Sequence, residues 1–375
     1  SEELEECEMK TASSSLAITG GAGGIGTKLA RYFIGEGLRT SRRFHIKLID
    51  DYDGYCQGAV RDPLEASAVE REEAVYPYAG FADLSALRGA DSTIEHVSSA
   101  CFGDGAAADL AAAFDGVDAV IHLQAFNPYP EASWEDSAKS MAMSANVVGA
   151  AEASGVSRLI LASSNHVMGR RIVEGAHDGT HAGGDGRLSA GGPPIAPWTQ
   201  PLVGTQFNVP GYQCDATPYA AAKLAAEEMA RAAVQRRADL SAAALRIGWC
   251  QPEENHPRTM SVTGTPTLSV DGSGEDGGSG RSWATAEAQV AEGYDNRNEV
   301  LKWFQLMWLS NRDMGQLFLR AVDYVPRDAS EAERFMVVNG NSRNTGRRWT
   351  ADHFDAIGYV PEDDVTEYAE FKLPG

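Results

Sequence analysis

The stretch "SLAITGGAGGIGTKLARYFIGEG", Ser15–Gly37, constrains the fold more than any other part of the chain. A short apolar run ends at a glycine, and a helical apolar pattern starts within six residues. Gly20, Gly23 and Gly26 stand at GxxGxxG spacing across the junction. Glycines at a strand-to-helix turn let backbone approach a pyrophosphate and aim a helix N-terminus at its charge. The alternative, a tight turn that holds no ligand, is the weaker reading in this context.

The rest of the chain repeats the same alternation. "FHIKLID" (Phe44–Asp50) reads as a second strand, "TIEHVSSACFGD" as a third, "AVIHL" (Ala119–Leu123) as a fourth. "RLILA" is a fifth and "AAALRIG" (Ala242–Gly248) a sixth. Helical segments lie between them at Asp109–Phe114, Trp134–Ser154 and "TPYAAAKLAAEEMARAAVQRR". Continuous apolar strands alternating with amphipathic helices predict an α/β fold. Its sheet is parallel and doubly wound, with helices on both faces. "NEVLKWFQLMWLSNRDMGQLFLRAV" reads as one late helix, "RFMVVNG" as a strand and "TADHFDAIGY" as a last short helix.

Residues 1–13 carry no core pattern and are expected to be a flexible tail. Residues 14–250 form the expected dinucleotide-binding domain, with insertions at 53–92 and 170–215. Residues 251–375 form a small C-terminal substrate lobe, with a flexible insertion at 262–296. Loops of that length inside a compact domain are usually lids, binding loops or disordered insertions.

Asp50 ends the second strand, 24 residues beyond Gly26. A carboxylate there accepts both ribose hydroxyls of NAD and repels the 2′-phosphate of NADP, so NAD is the expected cofactor. Asp104, in "CFGDG", is placed at the end of the third strand near the adenine edge. The full expected cofactor set is Gly20, Gly23, Gly24, Ile25, Gly26, Asp50, Asp104 and Leu123, together with Tyr219 and Lys223.

Tyr219 and Lys223 stand at i, i+4 on the helix beginning "TPYAAAKLA", so both project to one face. An ammonium beside a phenol favours the phenolate and lowers its pKa toward working pH. Such a tyrosine can take a proton from a hydroxyl while hydride leaves for a nicotinamide. In "RLILASSNHVMG", Arg158–Gly169, an apolar run stops at two serines, an asparagine and a histidine. Those residues either end a strand or face a substrate.

The order of these motifs resembles the extended short-chain dehydrogenase/reductases of the NAD-dependent epimerase/dehydratase family. The likeness covers residues 14–250 and continues more loosely beyond. It implies a Rossmann enzyme in which Ser164 is the catalytic serine beside Tyr219 and Lys223. "ASSNHVMG", "LRIGWCQPEENHPR" and "MWLSNRDMGQLFLRA" are similar to segments of the uronate dehydrogenases within that family. The resemblance implies that Asn165 and His166 line a sugar site and that Arg258 holds a substrate carboxylate, a contact guanidinium suits.

Four positions depart from that pattern. Trp249 stands where the family has a serine against the carboxylate, and Asn127 where a serine is usual. Ser140 or Met141 replaces the helical asparagine of the proton relay, while Asn146 matches a second, structural asparagine. Finally, 55 residues separate Ser164 from Tyr219, about double the usual gap. The expected substrate-side set is therefore Asn165, His166, Trp249 and Arg258.

Totals exclude several function classes. The formal charge is −21, from 53 acidic against 32 basic residues, which repels nucleic acid and anionic membrane. No apolar run approaches the roughly 18 residues of a membrane span. The five cysteines, Cys7, Cys56, Cys101, Cys214 and Cys250, are odd in number and contain no CxxC pair. That points away from a disulfide framework or zinc ribbon and toward a reducing, cytoplasmic-type compartment. The chain begins at Ser1, which leaves a removed targeting segment open. No metal is expected: His177 and His181 lack a third partner, and His96 and His122 read as core or edge residues. Trp303 and Trp308 read as packing residues.

The expected activity is NAD-dependent oxidation at a hydroxyl or hemiacetal carbon of a sugar or sugar acid. Paired helices in the family imply a homodimer. Two alternatives stay open: an NAD-retaining sugar epimerase or dehydratase, and a non-catalytic NAD-binding regulator or complex subunit.

Overall fold

A computed structural model describes residues 13–51, 92–126, 132–173, 188–209, 212–251, 255–257, 260 and 297–367. The expectations for residues 1–12, for nearly all of 53–92, for 262–296, and for Asn127, His177, His181 and Arg258 fall outside these residues.

Seven strands form one parallel sheet. In chain order they are β1 (Ser13–Thr19), β2 (Arg43–Asp50), β3 (Thr93–Ser98), β4 (Ala119–His122), β5 (Arg158–Ser164), β8 (Ser241–Ile247) and β9 (Phe335–Gly340). Their spatial order is β3-β2-β1-β4-β5-β8-β9, with all pairings parallel. Between β5 and β8 the chain makes a separate antiparallel hairpin, β6 (Gln206–Val209) with β7 (Tyr212–Asp215). The sheet winds outward in both directions from β1, so a crevice opens at the carboxyl ends of β1 and β4, where ligands bind in such sheets.

Helix α1 (Gly24–Thr40) follows β1 and packs on one face. α2 (Ala106–Ala113), α3 (Trp134–Ala153) and α4 (Thr217–Arg236) cover the other. α3 starts where it does because Ser133 and Asp136 form a reciprocal capping box. The strands of the sheet centre read as continuous apolar runs because both of their faces are covered.

Three differences from the sequence reading have physical causes. The late helix is two helices, α5 (Arg297–Leu306) and α6 (Asn311–Asp323). Between them Trp308 pairs with Trp249, through Trp249 N–H to Met307 O (3.1 Å) and Leu309 N–H to Trp249 O (3.1 Å). Only glycine at 248 lets the Met307 carbonyl lie so close, and Ser310 then caps α6 by accepting from Asp313 N–H. Second, β9 and α6 complete the large sheet and its helical layer, so the expected boundary at residue 250 divides the chain and not the sheet. Third, β3 stops at Ser98, and Asp104 sits six residues beyond it, exposed, in the turn before α2. α7 (Glu331–Arg334) leads into β9, and α8 (Phe354–Ile357) is a single turn.

A third apolar cluster lies beyond the carboxyl ends of the strands. It joins Val167, Met168, Phe207, Trp249, Trp303, Phe304, Trp308 and Trp349, all buried. The cluster draws on residues 167–216 as well as 249–365.

Candidate active site

The glycine turn is built by close packing. Gly20 sits at φ +76°, and a side chain there would meet the Gln124 backbone at 2.8 Å. A Cβ on Gly26 would stand 2.5 Å from Gly20 O, so helix α1 presses directly on the turn. The N-terminus of α1 carries no side-chain cap and no acidic residue in its first turn. Its free N–H groups therefore face the crevice with a positive dipole end.

Gly20, Gly23, Gly24, Ile25, Gly26, Asp50, Leu123, Tyr219 and Lys223 line one cleft of about 210 Å³. Gln124, Ala125, Ala162 and Ile247 complete its wall. Asp50 is buried. One carboxylate oxygen accepts from Ala22 N–H (2.9 Å), the other from Asp51 N–H (2.9 Å). Burial pushes its carboxyl up to about 6 against the pull of those two amides. Ribose hydroxyls donating to it would favour the charged form, so the residues present fit a dinucleotide. Asp104 lies outside the cleft wall.

The two serines of β5 have separate fates. The Ser163 hydroxyl donates to Glu227, and Arg246 grips the same carboxylate at 2.9 and 2.8 Å. Ser164 points the other way, hydrogen-bonding the Tyr219 phenol and accepting from His166 N–H (3.2 Å). Lys223 donates to Ala162 O (2.8 Å), and its nitrogen lies 5.8 Å from the Tyr219 ring centroid. Ser164, Tyr219 and Lys223 are thus brought together although far apart in the chain.

Charge balance differs from the sequence expectation. Burial pushes the Tyr219 phenol up to about 12, the Ser164 hydrogen bond opposing and Cys250 adding to the rise. Burial also lowers the Lys223 amine to about 8. The opposition to desolvation comes from the Ser164 hydrogen bond and not, as expected, from Lys223. His122 is doubly held, by Thr19 Oγ1 (2.7 Å) and Ser144 Oγ (3.0 Å). Burial and the Lys223 charge bring its pKa down to about 3, so it is neutral. His96 lies on the edge strand β3, so both histidines are core or edge residues as expected.

Of the residues expected on the substrate side, Asn165 is fully buried and neither its amide oxygen nor its nitrogen has a hydrogen-bond partner. His166 pairs through Nδ1 with Thr205 Oγ1 (2.7 Å) and meets the rings of Tyr219, Trp249 and Phe304 edge-on. Burial holds it neutral, near 3. Trp249 packs on Phe304 with centroids 4.2 Å apart. The Ser140 hydroxyl is tied to the backbone of Phe126, and Asn146 donates to Cys101 O (3.1 Å), a structural role.

The model of the NAD dependent epimerase/dehydratase family matches residues 16–183. The matched segment, under half of the chain, resembles that family. The glycine turn, Asp50 and the Ser164 strand all fall within the matched family segment. L-arabinose 1-dehydrogenase (NAD(P)(+)) of Haloferax volcanii is 27% identical over 264 residues, covering 70% of this chain and 80% of that protein. A mutant uronate dehydrogenase of Agrobacterium tumefaciens in complex with NAD is 18% identical. It has a TM-score of 0.52, and the match covers 95% of this chain and 88% of that one. Glucuronic acid dehydrogenase of Chromohalobacter salexigens is 20% identical with a TM-score of 0.52, covering 95% and 87%. The two structural likenesses establish the shared fold.

The sequence reading missed Gln124, Thr205 and Glu227. Gln124 lines the cleft and directs its amide nitrogen toward Asp50 (3.4 Å). Glu227 carried a usable signal: with Tyr219 and Lys223 it continues the i, i+4, i+8 series on one helix face. Thr205 had none, because it meets His166 only through the fold.

Proposed function

We propose that the protein is an NAD-dependent dehydrogenase that oxidises the anomeric carbon of an aldose or of its uronic acid. The observation that carries this reading is the Ser164–Tyr219 hydrogen bond at the end of a cleft lined by Lys223, Asp50 and the glycine turn. NAD, when bound, supplies the hydride acceptor. Asp50 would accept its ribose hydroxyls, and the α1 N-terminus would take its phosphates.

Tyr219 would remove the proton of the substrate hydroxyl, and Ser164 would donate a hydrogen bond to the reacting oxygen. Lys223, held by Ala162 O, would keep a positive charge near the Tyr219 phenolate, the form that takes the substrate proton and becomes the phenol. Asn165 offers one donor pair and one acceptor to sugar hydroxyls, and His166 stays neutral beside it. Trp249 and Phe304 would cover the apolar face of the ring. Similarity to an arabinose dehydrogenase and to two uronate-type dehydrogenases supports an aldose or aldose-acid substrate.

Among the described residues no helix is long and apolar enough to cross a membrane, and Cys101, Cys214 and Cys250 are free thiols. We place the enzyme in a reducing compartment, as a homodimer through α3 and α4. Light scattering in solution tests the dimer. A panel of pentoses, hexoses and hexuronates with NAD tests the activity. Net NADH formation on at least one member supports it. Product without net NADH, or binding of NAD with no turnover on any member, would replace it with an epimerase or a regulator.

A further inference from the structure

A second site lies beside the third apolar cluster, away from the cleft. The loop through Gly191 and Gly192 runs alongside residues 346–351, pinned by Ile195 N–H to Arg348 O (2.8 Å) and Thr350 N–H to Ile195 O (3.0 Å). Between the two segments is a pocket of about 330 Å³, walled by Gly191, Gly192, Gly346, Arg347, Arg348 and Trp349, among others. No residue of its wall is acidic, in a chain with a net charge of −21.

The side chains here are donors lacking acceptors. Arg348 gives Nε to Pro193 O (3.0 Å) and Nη1 to Arg171 O (2.7 Å), while its buried Nη2 has no partner. Arg171 gives Nη2 to Gln200 O (2.6 Å), and its buried Nε has none. The indole N–H groups of Trp303 and Trp349 are likewise buried and unpartnered. These four groups are contiguous. The Arg348 guanidinium lies 5.4 Å from the Trp303 ring, and the Trp303 and Trp349 centroids are 4.7 Å apart. Burial and the neighbouring Arg171 charge lower Arg348 to about 10, which leaves both guanidinium groups charged at neutral pH. Glu299, on the adjoining helix α5, is engaged with Ala190 N–H (2.6 Å).

An unpaired buried donor is destabilising, more so when charged, and like charges held together add to it. Such a cluster is relieved by one kind of guest, an acceptor carrying negative charge. Gly192, at φ +134°, is flush against Arg348, and a Cβ there would lie 2.8 Å from the guanidinium carbon. Gly192 and Arg348 both line the pocket, and the missing side chain at 192 leaves the guanidinium uncovered on that side.

We propose that this pocket binds a small oxyanion, a carboxylate or a phosphate, on Arg348 with Trp349. Guanidinium binds either group through paired N–H donors. The inference does not depend on the reaction assigned to the cleft. Trp303 and Trp349 make the site self-reporting, because an anion against their indoles changes tryptophan emission.

The test is a fluorescence titration of the full chain with inorganic phosphate and, separately, D-gluconate, with sodium chloride matching ionic strength. A saturable change with either anion, weakened about tenfold or more in R348Q, supports the site. The anion that saturates at lower concentration names the source. No saturable change beyond the chloride control, or an equal change in R348Q, overturns the proposal. Should R348Q not fold, wild-type crystals soaked in selenate decide. An anomalous peak in hydrogen-bond reach of Arg348 Nη2 supports the site, and its absence there overturns it.

Discussion

The two halves of the crevice, proposed for cofactor and for substrate, are made in different ways. The cofactor half is made of backbone: glycines in contact with one another, an uncapped helix end and amides that fix Asp50. The substrate half is made of side chains, with Asn165, His166, Thr205, Trp249 and Phe304 drawn from four separate segments. Backbone geometry tolerates no added atoms. A side-chain wall tolerates substitution at the cost of its specificity.

The largest expected effect falls where the halves are joined. Glu227 binds Ser163 of β5 and Arg246 of β8 to α4, the helix that carries Tyr219 and Lys223. Its pair with Arg246 is almost wholly buried. E227A leaves Arg246 charged and unpaired, and denaturant unfolding should show a loss of about 3–5 kcal/mol. A loss below about 1 kcal/mol would mean that the pair does not join the halves.

On the backbone side, G26A forces α1 away from Gly20 O. Overpacking of that kind costs about 1–3 kcal/mol, and NAD affinity should fall about tenfold or more. Isothermal titration measures it. Unchanged affinity would show that the turn has slack.

On the side-chain side, N165L removes an amide that has no partner in the fold. Thermal stability should hold or rise, while KM for the sugar should increase about tenfold, the worth of a lost hydrogen bond. A fall in stability with KM unchanged would assign Asn165 to the core.

The smallest effect is a pH dependence. Asp50 has a raised folded pKa, about 6, so the folded state holds its proton more tightly than the unfolded chain. Ionising Asp50 therefore costs stability, and that cost accrues as pH rises from its ordinary range to about 6. Bound ribose favours the ionised form, so KM for NAD should rise as pH falls below about 6. D50N should flatten that rise. A KM independent of pH across this window in the wild type would remove Asp50 from the ribose site.

The same contrast explains what was legible in the sequence. The glycine turn, Asp50 and the succession of strands along the chain follow from local spacing, which periodicity and small residues record directly. Tyr219 and Lys223 were readable because one helix carries both. The hairpin β6–β7 was not, because the Gly- and Pro-rich composition around it hides alternation. The break between α5 and α6 depends on Gly248 admitting the Met307 carbonyl, a contact between residues 59 positions apart. Asp104 was placed on an overlong third strand. The pKa balance of Tyr219 depends on burial, which spacing alone does not report.

Single-turnover kinetics of Y219F with saturating NAD test the central claim most directly. The phenol that hydrogen-bonds Ser164 is assigned the proton transfer, so NADH formation should slow by about 10²–10⁴-fold with NAD affinity unchanged. A variant that forms NADH within a few-fold of the wild-type rate would contradict the account.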